Sequence, residues 1–279
     1  MTGLVGPPDV AHLDVDDVAD PRLRDYAGLT DVALRTRAEL ADGLFIAEGE
    51  RVVLRALQAG HAPRSLLLSR SRWRLLGAEL RAELGTRPDL PVLVAADDLL
   101  ETITGFVVHR GTLACFARPP VPSLSDVLAG ARRVLVLEEV NNHTNVGAVA
   151  RSAAALGFDG LVLDPRSADP LYRRAIRVSM GATLTLPFTR LTAWPQGLAD
   201  VSAAGFRILA MTPGGDVDLA AELAAPGDRI ALLLGAEGDG LTPVALAAAD
   251  LRVRIPMAAG IDSLNIAAAA ALACWALRP

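Results

Sequence analysis

The sequence contains no lysine: all 27 basic residues are arginines, set against 32 Asp and Glu for a formal net charge of −5 at pH 7. That absence excludes a phosphate-binding P-loop, whose lysine reaches the nucleotide phosphates. Every basic contact must then come from a planar guanidinium, which suits phosphate oxygens and stacks on bases; a codon bias towards arginine explains the same composition. Aromatic residues make up only 4%, so helices must pack through Ala and Leu. The two cysteines, Cys115 and Cys274, lie in apolar runs and read as buried reduced thiols, not a disulfide framework. The histidines at positions 12, 61, 109 and 143 are scattered, and the cysteines lack ligand spacing, so no metal site is expected. Long apolar runs are missing too. The longest, Ile266 to Leu277, falls short of the roughly 20 residues of a membrane-spanning helix. The first 20 residues show no basic, apolar signal-peptide pattern. No membrane partner is expected, and a cytoplasmic location fits.

What is present is a chain 52% hydrophobic and 21% charged, the balance of a globular protein with substantial cores. Its 279 residues suit two domains. Residues 1–20 carry five aspartates with Pro and Gly and read as a flexible acidic tail. Residues 21–118 alternate helical and strand signals. ADPRLRDYAGL and TDVALRTRAEL predict helices, the second capped by Thr30, and ERVVLRALQAG an amphipathic helix ending at Gly60. GLFIAEG, RSLLLS, PVLVAA and TLACFAR predict strands, with a helix over RWRLLGAELRAEL. A Pro-rich linker, 119–125, follows.

Residues 126–279 read as repeated strand–helix units: strands RRVLVLEEV, DGLVLDP, FRILAMTP, DRIALLLG and LRVRIPM, and helices NVGAVARSAAALG, PLYRRAIRVSMGA and SLNIAAAAALACWAL. The strand runs do not alternate, which implies burial on both faces of a parallel sheet with helices on either side. The expected fold class is therefore α/β.

Three strand-to-helix junctions carry polar or glycine-rich turns. In LEEVNNHTNVGAVARS, Asn145 and Arg151 lie roughly 600° apart in helical rotation, so a regular helix does not place them on one face; Asn145 as a helix cap and Arg151 as a surface residue is the plain alternative. In LLLGAEGDGLTP, Gly235, Gly238 and Gly240 flank Ala236 and Glu237 and allow a ligand to approach the backbone. The glycine order is not that of a dinucleotide fingerprint, and an ordinary tight turn would look alike. In RIPMAAGIDSLNIAAAA, Ser263 and Asn265 sit between an apolar strand and a small-residue helix, with Ser263 a possible N-cap.

Taken together and in order, these segments resemble motifs 1, 2 and 3 of the SpoU (TrmH-type) RNA 2′-O-ribose methyltransferases of the SPOUT superfamily: N-x-G-x-x-x-R as Asn145, Gly147 and Arg151, then GAEGDG, then IPM…SLN. YRRAIRVSMGA resembles the region between the first two motifs. GLFIAEGERVVLRAL and HRGTLACFARP resemble the small RNA-binding domain of many relatives, which often have Gln where this chain has Arg110.

The resemblance implies a C-terminal trefoil knot, a homodimer, S-adenosylmethionine as cofactor, and methyl transfer to a ribose 2′-hydroxyl of rRNA or tRNA. It also implies a catalytic set of Asn145, Arg151, Glu237, Ser263 and Asn265. Gly235, Ala236, Gly238, Ile255, Met257 and Leu264 would line the cofactor site. Two other readings stand beside it: a non-catalytic RNA-binding protein retaining the knotted fold, and a nucleotide-dependent enzyme using the glycine-rich turn. Arg51, Arg55 and the arginines of residues 70–81 are candidate RNA contacts.

Overall fold

Alternate residues of each central strand are buried in two different cores, and this sets the architecture. The computed structural model describes residues 10–30, 39–108, 111–222, 227–258 and 263–279. The chain divides into two compact units, one of residues 1–119 with 171–184, the other of residues 120–170 with 185–279. No described helix is long and apolar enough to cross a membrane.

The first unit holds a five-stranded mixed sheet of β1 (Leu13–Val15), β2 (Leu44–Glu48), β3 (Pro63–Ser69), β4 (Val92–Ala95) and β5 (Thr112–Ala117), in the order β1-β4-β3-β5-β2. One face presents Leu44, Ile46, Leu67, Leu93 and Cys115 to a core completed by Tyr26, Leu100 and Ile103. The Tyr26 hydroxyl, fully buried, donates to the Ser65 carbonyl at 2.8 Å and accepts from the Cys115 amide at 3.2 Å, and burial raises its pKa. On the other face Phe45 and Phe116 stack with centroids 5.1 Å apart.

The expected tail is corrected over residues 10–20, residues 1–9 lying outside the described residues. Leu13–Val15 pairs parallel with β4, and Val15 is 1% exposed. A three-residue edge strand needs one buried anchor, and the neighbouring aspartates hide that signal in the sequence. The helix expected over 72–84 is two, Arg70–Arg74 and Ala78–Gly85. Between them Gly77 donates to Glu50 Oε1 at 3.1 Å, at a point where a Cβ would lie 2.1 Å from that oxygen. The helix expected over 30–40 lies largely outside the described residues, as does Arg110. The helix Arg173–Val178, which the strand–helix reading ran on with the later units, clusters with the first unit instead. There Arg173 and Arg177 pair with Glu48, which is wholly buried.

The second unit holds a seven-stranded, wholly parallel sheet of β6 (Arg133–Leu137), β7 (Gly160–Leu163), β8 (Phe188–Arg190), β9 (Arg207–Met211), β10 (Val217–Asp218), β11 (Ile230–Leu234) and β12 (Leu251–Arg254). Their order is β10-β12-β9-β11-β6-β7-β8. Leu135, Leu137, Leu161, Ile230 and Leu232 enter one core with the helices His143–Ala155 and Ile266–Ala276. Val134, Val136, Val162, Ala231 and Leu233 enter the opposite core, where Val201 and Ala245 belong to the helices Gly197–Ala203 and Pro243–Ala248. Burial on both faces is why these strands read as unbroken apolar runs. Arg133, 3% exposed, donates to the carbonyls of Leu277 at 2.7 Å and Asp228 at 2.9 Å, and burial lowers its pKa. It fixes the end of the last helix to the base of the sheet.

Candidate active site

In a parallel sheet the carboxyl ends of the strands, where helix N-termini and connecting loops converge, are the usual place for a ligand. The segments after β9, β11 and β12 enclose a cavity of about 590 Å³ there. It is lined by Gly235, Ala236, Glu237 and Gly238 after β11, by Ile255 and Met257 after β12, and by Ser263, Leu264 and Asn265 before the last helix.

The glycines are required by geometry. A Cβ on Gly235 would lie 2.4 Å from the carbonyl carbon of Gly240, so only a residue without one lets the turn close. Gly238 and Gly240 have φ of +93° and +69°, in the left-handed region, and the turn is closed by the Gly240 amide donating to the Ala236 carbonyl at 3.2 Å. Glu237 is thereby presented at the tip, exposed, where its carboxylate accepts a hydrogen bond from Asn265 Nδ2. Asn265 Oδ1 accepts from the Ala267 amide at 2.9 Å, so Asn265, and not Ser263, is the N-cap of the last helix. One side chain thus starts a helix with one end and joins two sequence-distant segments with the other.

A wholly buried carboxylate holds the exit of this turn. Glu138 follows β6 and accepts from the Thr242 amide at 2.8 Å, the Thr242 hydroxyl at 2.7 Å and the Trp194 indole N–H at 2.6 Å. Thr242 in turn caps the helix Pro243–Ala248. In the sequence Glu138 reads as part of the strand RRVLVLEEV, and an acid directly after an all-apolar run is the signal that marks it. Sequence reasoning also passed over Met211 to Gly214, which line the cavity after β9 and whose TPGG turn has the same strand-to-turn form as the recognised segments.

Asn145 and Arg151 are not in this cavity within one chain. The N-cap of the helix His143–Ala155 is Asn142, which accepts from the Thr144 amide at 2.8 Å, so the cap alternative for Asn145 is corrected. Asn145 lies in the first turn and is 8% exposed, whereas Arg151 is on the exposed face with Thr144 and Ala155. The cavity accordingly gathers Gly235, Ala236, Glu237, Gly238, Ile255, Met257, Ser263, Leu264 and Asn265 and leaves the first motif outside. Among the described residues no group of three or more His, Cys, Asp or Glu is placed to hold a metal ion.

The profile of the SpoU rRNA methylase family matches residues 132–275. An uncharacterised tRNA/rRNA methyltransferase of Mycobacterium tuberculosis is 46% identical over 268 residues, covering 94% of this chain and 91% of that one. A 23S rRNA (guanosine(2553)-2′-O)-methyltransferase of Bacillus subtilis is 24% identical over 266 residues, covering 95% and 98%. Among solved structures, the SpoU methyltransferase AviRb of Streptomyces viridochromogenes in complex with AdoMet superposes with a TM-score of 0.77 at 26% identity, covering 92% of this chain and 97% of that one. The matched region spans the seven-stranded sheet and every residue of the cavity, and the chain belongs to the SpoU rRNA methylase family.

Proposed function

We infer that the chain methylates the 2′-hydroxyl of a ribose in rRNA or tRNA with S-adenosylmethionine as donor. The observation that carries this reading is the Glu237–Asn265 hydrogen bond across the glycine-lined cavity, which joins the second and third motifs into one site. The residues present suit the donor. Gly238, where a Cβ would meet nothing within 4 Å, leaves the backbone open to close approach, while Ile255, Met257 and Leu264 offer an apolar surface for an adenosine. When bound, S-adenosylmethionine supplies an electrophilic methyl group on a positively charged sulfur.

The protein's task is to position a weak nucleophile and ease loss of its proton. A guanidinium stays protonated in proteins and cannot serve as base. Arg151 therefore binds the phosphate beside the target ribose and lowers the hydroxyl's pKa electrostatically, and the Ser263 hydroxyl or a water carries the proton away. Asn145 and Glu237 orient the arginine and Asn265. As Arg151 is outside its own chain's cavity, a second copy supplies it, and the functional unit is a homodimer.

The exposed face of the last helix supports this. Ala268, Leu272 and Trp275 follow one another at helical spacing, with Leu272 48% and Trp275 58% exposed. The helix His143–Ala155, on the same face of the sheet, exposes Thr144, Arg151 and Ala155. A second copy covering this apolar surface brings Arg151 into the interface. The knotted passage implied by the family resemblance belongs to the same proposal.

The reading is tested by calorimetric titration of the protein with S-adenosylmethionine. A saturable site that is lost in Glu237→Ala/Asn265→Ala is expected. A protein that binds no S-adenosylmethionine, or a double variant that binds it unchanged, contradicts the assignment.

A further inference from the structure

The geometry points to an RNA-backbone contact surface in the first unit, made by Arg51 and Arg55 together with Arg174 and Arg177, which come from the later half of the sequence. It rests on the proposed RNA substrate and names residues that hold its backbone.

The two candidate stretches of arginine are separated by their partners. In residues 70–81, Arg70 is paired with Asp14 at 3.1 Å and Asp16 at 3.5 Å, Arg72 is paired with Glu50, and Arg81 donates to the Leu76 carbonyl at 3.3 Å. Three of the four guanidinia in that stretch are engaged within the fold, and Arg74 is the one exposed cation on its short helix. The helix Glu50–Gln58 differs. Val52, Val53, Ala56 and Leu57 are buried, and Arg51, Arg55 and Gln58 form its exposed face at i, i+4, i+7 spacing.

Arg55 also locates this face in space. Its guanidinium donates to the Met180 carbonyl, and its stem crosses Gly181, where a Cβ would lie 3.1 Å from Arg55 Cδ. Met180 and Gly181 form the turn after the helix Arg173–Val178, with φ of +55° and +82°. That helix turns Arg173 inward, onto Glu48, the Leu29 carbonyl and the Phe106 ring 4.3 Å away, and leaves Arg174 and Arg177 exposed one turn apart.

Two neighbouring helices therefore present four exposed arginines, of which Arg55 spends one N–H on the Met180 carbonyl and Arg177 one on Glu48, leaving the rest of each fork to a ligand. Among the described residues the only carboxylate paired with any of them is Glu48, which is buried and shared with Arg173. In a chain of net charge −5 this is a local excess of positive charge. Neither exposed helix face carries a large exposed apolar side chain to anchor a protein partner. A row of planar forks without an apolar anchor fits a phosphodiester backbone.

The test uses the full chain and deproteinised ribosomal RNA in filter binding over a salt series. Each phosphate contact contributes about 0.7–0.9 to the slope of log K against log salt. The triple variant Arg51→Ala/Arg55→Ala/Arg174→Ala is expected to lose affinity and to reduce that slope by about two. Arg22→Ala/Arg24→Ala/Arg70→Ala removes the same charge elsewhere and is expected to keep the wild-type slope. A triple variant that binds as tightly and with the same salt dependence as wild type overturns the surface, as does an equal loss in the control. Circular dichroism melting verifies that each variant is folded, and the single variants Arg51→Ala and Arg174→Ala are expected to give proportionally smaller losses. S-adenosylmethionine titrations run alongside separate this result from the methyltransferase reading: wild type without cofactor binding defeats that reading alone, whatever the RNA slopes show.

Discussion

Single residues in this chain are constrained by contacts that can be measured. Gly235 has its would-be Cβ 2.4 Å from the Gly240 carbonyl carbon, a backbone atom that cannot rotate away. Gly235→Ala is expected to cost about 1–3 kcal/mol of stability through forced displacement of the turn. It is also expected to weaken S-adenosylmethionine about tenfold or more, about 1.4 kcal/mol, by calorimetry. Unchanged affinity would show that the turn does not shape the cofactor site. Cys274 is a second case. Burial pushes its thiol from 9.0 to about 12. In the unfolded chain the thiol ionises first, so its contribution to stability is complete below about pH 9 and is lost as pH rises towards about 12. The urea midpoint of wild type should therefore drop between about pH 8 and pH 10.5 by more than that of Cys274→Ala. Equal drops would place the thiol in contact with water.

At the scale of elements, the sequence disclosed what depends on periodicity and local punctuation. The strands β6, β7, β9 and β11 were legible because each buries both faces, as with Leu135 in one core and Val136 in the other. The short elements were not. The three-residue β8, the helix Pro243–Ala248 and the edge strand at Leu13–Val15 are too brief to show a period and form through tertiary contacts. The place of the helix Arg173–Val178 depends on the Glu48 ion pair, which no local pattern reveals. In the site, glycine positions were readable because positive φ demands them. The Glu237–Asn265 hydrogen bond and the role of Glu138 depend on chain segments far apart in sequence. The last helix tests the proposed interface. Leu272→Asp/Trp275→Asp should shift the protein to a monomer in sedimentation equilibrium, since burying two unpaired carboxylates opposes association. A double variant with the wild-type mass distribution would exclude this face as the dimer contact.

For the whole molecule, the division of labour follows from the two units. The seven-stranded sheet converges glycine-rich and polar strand ends on one cavity, while the mixed-sheet unit carries four exposed arginines, one of which, Arg177, pairs with the buried Glu48. The central claim is that this cavity, completed by Arg151 of a second copy, methylates a ribose oxygen. It is tested most directly by incubating wild type and Arg151→Ala with methyl-labelled S-adenosylmethionine and RNA from cells lacking the protein, then hydrolysing the RNA in alkali. Cleavage needs a free 2′-hydroxyl, so the account predicts label in alkali-resistant dinucleotides with wild type and little or none with Arg151→Ala. Label confined to alkali-labile mononucleotides, no label at all, or full activity of Arg151→Ala would contradict it.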